Sequence, residues 1–301
     1  MSAITNRYEF VYLFDVTNGN PNGDPDAGNM PRLDPETNQG LVTDVCLKRK
    51  IRNRLMEMGQ SIFVQSDDRR VDEYRSLRSR AEGVLKNDDM HEEKKYREAA
   101  CHQWIDVRSF GQVFAYSGKK GKSAGEEESG VSIGIRGPVS IHPAFSVAPV
   151  LDRVSSIQIT KSVSGEGDGT KRASDTMGMK HRVDHGVYVF YGSMNPQLAT
   201  KTGFTDQDAE AIKEALKTLF RNDASSARPE GSMEVHRVYW WKHNSSNGQY
   251  SSARVHRSVG KLVRVKDGIS QPKSIEDYCI PGNMEIEMEL PGLECEVIDG
   301  E

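Results

Sequence analysis

The sequence contains no run of 18 apolar residues, so it predicts no membrane-spanning helix. Its first ten residues, MSAITNRYEF, lack the apolar core of a secretory signal peptide. Only four cysteines are present (Cys46, Cys101, Cys279 and Cys295), and none has the C-x-x-C spacing of a zinc or redox site. Together these absences predict a reduced chain in the cytoplasm, with no membrane partner.

Patterns that carry catalysis are also scarce. The P-loop and the dinucleotide-binding pattern G-x-G-x-x-G are both missing. No cysteine–histidine pair suggests a thiol nucleophile, and His236 and His256 have no evident partners in the sequence. We therefore expect a buried or solvated role for all eight histidines, and neither an enzyme nor a cofactor.

The charge is unevenly distributed along the chain. The net charge of −4 argues at first against a nucleic-acid partner. Residues 274–301, however, carry nine acids and no bases, which leaves 40 bases against 35 acids in residues 1–273. The body of the chain is therefore mildly basic, and its last segment is acidic.

Hydrophobic periodicity predicts a mixed fold. Helices are expected at 44–58 and 205–220, and strands at 7–16, 107–116, 131–142, 185–194, 233–243 and 284–290. With long insertions between them, six of these elements follow the order β-α-β-β-α-β of a ferredoxin-like α+β domain, the layout that RNA-recognition modules share. The stretch 284–290, MEIEMEL, alternates strictly and would place three glutamates on one exposed face.

A polar loop, NGNPNGDPDAGN (18–29), directly follows the first strand. Asn18, Asn20, Asn22 and Gly23 match the first half of a calcium-binding EF-hand loop, but Asn29 replaces the required glutamate. Asp24 and Asp26 form an acidic pair that could bind Mg²⁺ for nuclease chemistry, although no histidine or third carboxylate completes that site. A metal site is therefore disfavoured, and a simple turn or an anion-binding turn stays open.

The anion-binding interpretation rests on backbone geometry. Glycine and asparagine tolerate left-handed conformations, and such turns can direct backbone amides at a phosphate. Asn20 and Asn22 are the candidate contacts from this loop.

The helix at 44–58 carries five bases in seven residues, with no acid among them. A solvated helix face normally alternates acids with bases, because opposite charges four residues apart stabilise a helix. This helix therefore favours nucleic-acid contact over an ordinary exposed face. Its candidate RNA-binding residues are Lys48, Arg49 and Arg52, which flank the apolar stripe.

Two later segments add weaker candidates. Arg136 lies at a strand break, where a structural turn is the simpler interpretation. The Gly-rich segment 163–180 has a net charge near zero and resembles a flexible arm more than a basic clamp. The candidates in and around it are Lys161, Lys171, Arg172, Lys180 and His181.

Taken together, several motifs resemble the guide-RNA (crRNA) binding backbone subunit of type I-C Cascade, in the RAMP superfamily. The resemblance extends from about residue 8 to about residue 235. The motifs that carry it are NPNGDPD, GLVTDVCLKRKIRNRL, RSFG, GPVSI, TMGMKH, GFTDQDAEAIKEAL and DASSARPEG.

The resemblance implies one RRM-like palm over residues 1–301, with a helical finger at 60–105 and a β-hairpin thumb at 152–182. It implies that copies stack as a helical filament along one crRNA, each thumb pressing between guide bases. Other Cascade subunits and, through the guide, target DNA would be further partners. The family's backbone subunits do not cut DNA, which agrees with the scarcity of catalytic patterns.

Two other functions stay open from the sequence. One is a metal-dependent RAMP endoribonuclease that uses Asp24 or Asp26. The other is a stand-alone module that binds single-stranded RNA.

Overall fold

The computed structural model describes residues 2–85, 92–116, 131–161 and 176–301. The helices are α1 (Asp44–Glu57), α2 (Leu77–Val84), α3 (Glu93–Gln103), α4 (Ile105–Phe110), α5 (Pro196–Thr202), α6 (Asp206–Lys217), α7 (Ser252–Gly260) and α8 (Asn283–Glu289). The strands are β1 (Tyr8–Gly19), β2 (Gly23–Asp24), β3 (Met30–Pro31), β4 (Gln39–Val42), β5 (Gly111–Tyr116), β6 (Val131–Arg136), β7 (Val139–Ile141), β8 (Ala144–Pro149), β9 (Val154–Lys161), β10 (Thr176–Met194), β11 (Met233–Lys242), β12 (Arg264–Val265), β13 (Tyr278–Cys279) and β14 (Cys295–Asp299). None of the described helices is both long and apolar enough to cross a bilayer.

The main sheet is built around β1. Its strands lie in the order β14-β11-β1-β10-β8-β4, and β7 and β9 pair with other parts of β10. The pairings of β1 with β10 and with β11 are antiparallel. Strand β1 is apolar on both faces because both faces are covered, as its sequence predicts.

One face of this sheet packs against α1 and α6 and forms the first core. Helix α1 contributes Leu47, Ile51 and Leu55, all fully buried, as the apolar stripe predicts. Thr43 caps α1 through the N–H of Cys46. Helix α6 begins with the expected capping box, in which the side chains of Thr205 and Asp208 each accept a backbone N–H from the other.

The opposite face packs against α7 and α8 and forms the second core. The prediction of a strand at 284–290 is wrong, because residues 283–289 form α8. Ile286 and Leu290 are buried, whereas Met284 and Met288 are 77% and 79% exposed. Residues four apart share a helix face, so a strictly alternating stretch of seven residues also fits a helix. The three glutamates therefore do not share one strand face.

A third core is separate from the first two, and it combines residues of the predicted finger, 60–105, with residues of β5 and β6. Phe63, Tyr96, Trp104 and Phe114 pack together in it, from the chain before α2, from α3 and from the β5–β6 hairpin. The strand predicted at 107–116 is correct only from Gly111 onward, because residues 105–110 form α4. This region has few large apolar residues in its sequence, yet it buries a core of its own.

A two-stranded ribbon extends from the main sheet. Residues 154–161 of β9 pair with residues 176–183 of β10, and β10 then continues into the sheet beside β1. These two paired segments form what we call the ribbon. The chain that joins them, 162–175, lies outside the described residues.

Close packing at Gly192 gives a test of the first core. Gly192 of β10 pairs with Phe10 of β1, and a Cβ added there would lie 2.1 Å from an atom of the Phe10 ring. We expect Gly192→Ala to lower the free energy of unfolding by about 1–3 kcal/mol, because an overpacked core must shift to make room. Urea denaturation followed by circular dichroism measures the change.

Gly134→Ala is the matched control, because Gly134 also lies in a strand and no described atom lies within 4 Å of its added Cβ. Equal stability of the two variants would contradict the close packing at Gly192.

Candidate nucleic-acid interface

The polar loop after β1 is a folded corner. Asn18 and Asn29 adopt left-handed backbone conformations with φ of 55° and 62°, as expected of asparagine. Gly19 is needed for space instead, because an added Cβ would lie 2.9 Å from Oγ of Ser232. The left-handed backbone conformations expected in this loop therefore occur at Asn18 and Asn29 and not at Gly19.

The side chains of Asn20 and Asn22 hold this corner together. Asn20 is buried, and its Nδ2 donates to the carbonyl oxygen of Asn29 at 2.8 Å. Asn22 Oδ1 accepts from both the backbone N–H and the hydroxyl of Thr43, each at 3.0 Å. Both amides thus fasten the loop to itself or to the start of α1, and their contact with RNA stays a prediction.

The two loop aspartates have structural partners or open solvent. Asp24 accepts the backbone N–H of Asp26 and lies 3.3 Å from Nη1 of Arg32. Among the described residues, neither Asp24 nor Asp26 belongs to a group of three or more side chains spaced to bind a metal ion. This arrangement does not favour the endoribonuclease alternative.

The five bases of α1 each have a partner from elsewhere in the chain or from the helix itself. Lys50 is 3% exposed and pairs with Asp223, while burial lowers its pKa from the ordinary value. The other partners are Asp44 for Lys48 at 2.9 Å, the Val64 carbonyl for Arg49 at 2.7 Å, Asp106 for Arg52 at 2.9 Å, and Thr218 and Glu57 for Arg54 at 2.7 and 3.0 Å. Two of its counter-charges, Asp106 and Asp223, come from distant segments, and the other two, Asp44 and Glu57, lie at the two ends of the helix.

Arg52 in particular is part of a buried network. The Asp106 side chain is fully buried and accepts from Arg52 Nε and from the backbone N–H groups of Phe63 and Val64. This carboxylate joins α1 to α4 and to the chain that leads into the third core. RNA binding by Lys48, Arg49 and Arg52 stays a prediction, but Arg52 already has a structural partner that sequence reasoning missed.

Arg136, Lys180 and His181 are more accessible. Arg136 is exposed at the end of β6. Lys180 and His181 are half-buried on the ribbon, and Nδ1 of His181 lies 2.7 Å from Oγ of Ser156. Lys161 ends β9 and is described by its backbone only, whereas Lys171 and Arg172 lie outside the described residues.

Two apolar side chains also project from the ribbon. Ile157 is 44% exposed and Met179 is 49% exposed. The ribbon thus combines a lysine, a histidine and exposed apolar groups, which is the chemistry that a stacked, charged polymer such as RNA can engage.

The expectation that His236 and His256 lack partners is wrong, since each lies within ion-pair distance of a carboxylate. Nε2 of His256 lies 2.9 Å from Oε2 of Glu9, which is fully buried in β1. Burial opposes ionisation of Glu9, but hydrogen bonds from His256, Arg7 and Ser252 outweigh it and lower the pKa of Glu9. Nε2 of His236 lies 3.5 Å from Oδ1 of Asp15.

A serine motif in β6 has no catalytic geometry. Residues 130–134 read GVSIG, the G-x-S-x-G pattern of hydrolase nucleophiles. Ser132, however, lies inside β6 opposite Ala115 of β5, and not on a turn from strand to helix. Residues 131–134 of this pattern are part of the regular antiparallel pairing of β6 with β5.

The Asp106 network generates a test. We expect Asp106→Ala to lower the free energy of unfolding by about 3–5 kcal/mol, because it leaves the Arg52 guanidinium and two backbone N–H groups without their carboxylate. Urea denaturation measures the loss, and Asp67→Ala, at an exposed aspartate nearby, serves as the control. If both variants are equally stable, the carboxylate of Asp106 does not support this region.

Comparisons with known proteins agree on one family. A family model described as CRISPR-associated protein Cas7 matches residues 6–283. A Haloferax volcanii protein, also described as CRISPR-associated protein Cas7, is 29% identical over 226 residues, which span 73% of this chain and 66% of that protein.

Two solved structures are similar over nearly the whole chain. One is described as a CRISPR RNA-guided surveillance complex, pre-nicking, with a TM-score of 0.47 and 12% identity over 94% of this chain and 87% of that one. The other, a CRISPR RNA-guided surveillance complex, has a TM-score of 0.47 and 14% identity over 98% and 89% of the two chains. Because the family model spans residues 6–283, this chain belongs to the CRISPR-associated Cas7 family.

Proposed function

We propose that this protein is the non-catalytic, guide-RNA-binding backbone subunit of a type I-C CRISPR interference complex. Copies of it assemble along one crRNA in the cytoplasm, together with other Cascade subunits. The assembled guide then pairs with target DNA, and base pairing reads the sequence while the protein holds the guide backbone. The observation that carries this proposal is the family match over residues 6–283.

The palm of this subunit is a ferredoxin-like, RRM-like domain. The order β11-β1-β10, followed by β7 and β8, supports it, since it corresponds to strands 4-1-3-2 of that fold. Helices α1 and α6 lie on one face, in the positions of its two helices. In this proposal the whole chain is one domain, with 60–105 as the finger and 152–182 as the thumb.

The ribbon is the part of the thumb that contacts the guide. Lys180 supplies charge for a phosphate, and His181 supplies a ring or a hydrogen bond. Ile157 and Met179 are exposed although they are apolar, which suits side chains that press between bases. Arg136, exposed on β6, adds a second phosphate contact.

The endoribonuclease alternative has less support. Asp24 is engaged by Arg32 and by the turn that it caps, so it is not free to hold a metal ion without losing these contacts. Cutting of target DNA is left to a separate nuclease in this proposal.

Charge reversal at the two accessible bases tests the RNA contacts. We expect Arg136→Glu with Lys180→Glu to weaken binding of a repeat-derived RNA about tenfold at low salt. The slope of log affinity against log salt should flatten by about 1.4, because two phosphate contacts are lost. Fluorescence anisotropy over a range of salt concentrations measures both.

The control is Lys94→Glu with Lys201→Glu, which changes the same net charge at two exposed lysines on α3 and α5. Equal slopes for the two double variants would remove Arg136 and Lys180 from the interface. If the labelled RNA is cut in the presence of Mg²⁺, and Asp24→Ala stops the cutting, the endoribonuclease alternative replaces the proposed function.

A second test concerns the apolar side chains of the ribbon. We expect Ile157→Ser with Met179→Ser to retain the fold and most of the RNA affinity, since both side chains are exposed and carry no charge. Ordered multimers on a full-length guide should be lost, because the wedge between bases is gone. Negative-stain electron microscopy of protein co-expressed with its guide measures the assembly, and filaments of normal length would contradict the role of these side chains.

A further inference from the structure

Strands β1 and β11 bring three potential metal ligands together on the side of the sheet that carries the second core. Asp15 of β1 lies directly opposite Glu234 of β11, and His236 is two residues further along. One ligand atom from each side chain lies within 4.8 Å of the other two. This group, here called the Asp15 cluster, is separate from the loop that holds Asp24 and Asp26.

A β-bulge in β11 creates this arrangement. The register slips between Leu13 and Phe14, whose partners are Arg237 and Val235, so His236 is the extra residue. Val235 and Val238 both reach the first core although they are three residues apart. His236 is therefore turned toward Asp15 and not held in regular alternation, which is how bulges re-aim side chains.

The polar groups of the Asp15 cluster are not all satisfied by hydrogen bonds within the described residues. Nε2 of His236 is buried without a hydrogen-bond partner among the described residues, 3.5 Å from Oδ1 of Asp15. Asp15 and Glu234 place two carboxylates opposite each other, and like charges at such positions repel. A bound cation would relieve this repulsion and would give the imidazole nitrogen a partner.

A second layer of groups orients Asp15. Thr17 Oγ1 donates to Asp15 Oδ2 at 3.3 Å and lies 3.1 Å from Nδ1 of His185. His185 is only 4% exposed, its Nδ1 lies 3.8 Å from the same carboxylate oxygen, and its Nε2 also lacks a partner in the described part of the chain. Metal-binding carboxylates are held in this way by hydrogen bonds from outside the ligand set.

We propose that Asp15, Glu234 and His236 bind one divalent transition-metal ion, with Zn²⁺ as the representative of this class. Oxygen and nitrogen ligands sit about 2.0–2.2 Å from zinc, so neighbouring ligand atoms of a tetrahedral site are about 3.4 Å apart. The 3.5 Å separation of His236 Nε2 from Asp15 Oδ1 already matches this value. An imidazole in the set favours zinc or a similar ion over Mg²⁺ or Ca²⁺, which prefer oxygen ligands only.

This site goes beyond the proposed function, because RNA binding does not require it. The ion would join β11 to β1 at the bulge, four residues before Gly19, which pairs with Val183 at the base of the ribbon. Glu234 is exposed, so one side of the ion would stay open to water. Its role would be to fix the sheet at the base of the ribbon.

Titration of the metal-free chain with Zn²⁺ tests the site directly. The full-length, tag-free protein is stripped with a chelator and titrated by isothermal calorimetry, and its metal content after desalting is measured by mass spectrometry. We expect one ion per chain in the unaltered protein. We expect Glu234→Gln, at an exposed side chain, and His236→Gln each to raise the Kd for Zn²⁺ at least tenfold. The controls Glu230→Gln and His102→Gln, at exposed positions, should leave that Kd unchanged.

The heat stability of the same variants gives a second measurement. Saturating Zn²⁺ should raise the Tm of the unaltered protein and of both controls, and should raise that of His236→Gln by less. Absence of stoichiometric binding, or equal binding by His236→Gln and His102→Gln, would overturn the proposal and leave the cluster as a histidine–carboxylate ion pair. Glu234→Gln keeps the test decisive if His236→Gln does not fold.

Discussion

The rest of the structure depends on the hydrogen bonding of β1 to both of its neighbours. Eleven residues of β1 are in register with β10, and its other edge pairs with β11. These two ladders leave β1 without a free edge. Because β1 lies in the middle of the sheet, its side chains point alternately into the two cores on opposite faces. Tyr12 and Phe14 enter the first core, and Val11 and Leu13 enter the second. The corner at 18–29, the ribbon and the Asp15 cluster all lie where this strand ends.

Sequence periodicity predicts the elements that lie in these cores. Three of these elements can be predicted as only one type of secondary structure: α1 from its apolar stripe, α6 from its capping box and β1 from its apolar run. In each case the length or the cap excludes the alternative of helix or strand. The adjacent Trp240 and Trp241 lie in different cores, as expected of neighbours in a strand. The prediction of a strand at 284–290 was wrong for a physical reason. Apolar residues at every second position also recur four residues apart, and this spacing suits a helix equally well.

Charge was harder to interpret than hydrophobicity. The five bases of α1 suggest a nucleic-acid surface in the sequence, yet Asp106 and Asp223, 54 and 173 residues from their partners Arg52 and Lys50, neutralise two of them. The Asp15 cluster could not be predicted from the sequence for the same reason, because its three residues come from β1 and β11 and meet only through a bulge. Local sequence reports periodicity, whereas ion pairs and ligand sets depend on which distant segments the fold brings together. The resemblance to Cascade backbone subunits predicted the family to which the chain belongs, but it did not predict individual contacts.

Strand β10 is 19 residues long and continuous from the ribbon into the main sheet. Its first eight residues pair with β9, and from Val183 onward it pairs with β1. The ribbon is thus one end of a strand whose other end is held in the middle of the main sheet, and the described residues of that strand contain no break. The hydrogen bonds between β10 and β1 therefore resist a sideways force on the ribbon. The angle at which the ribbon projects is set by the right-handed twist of the main sheet.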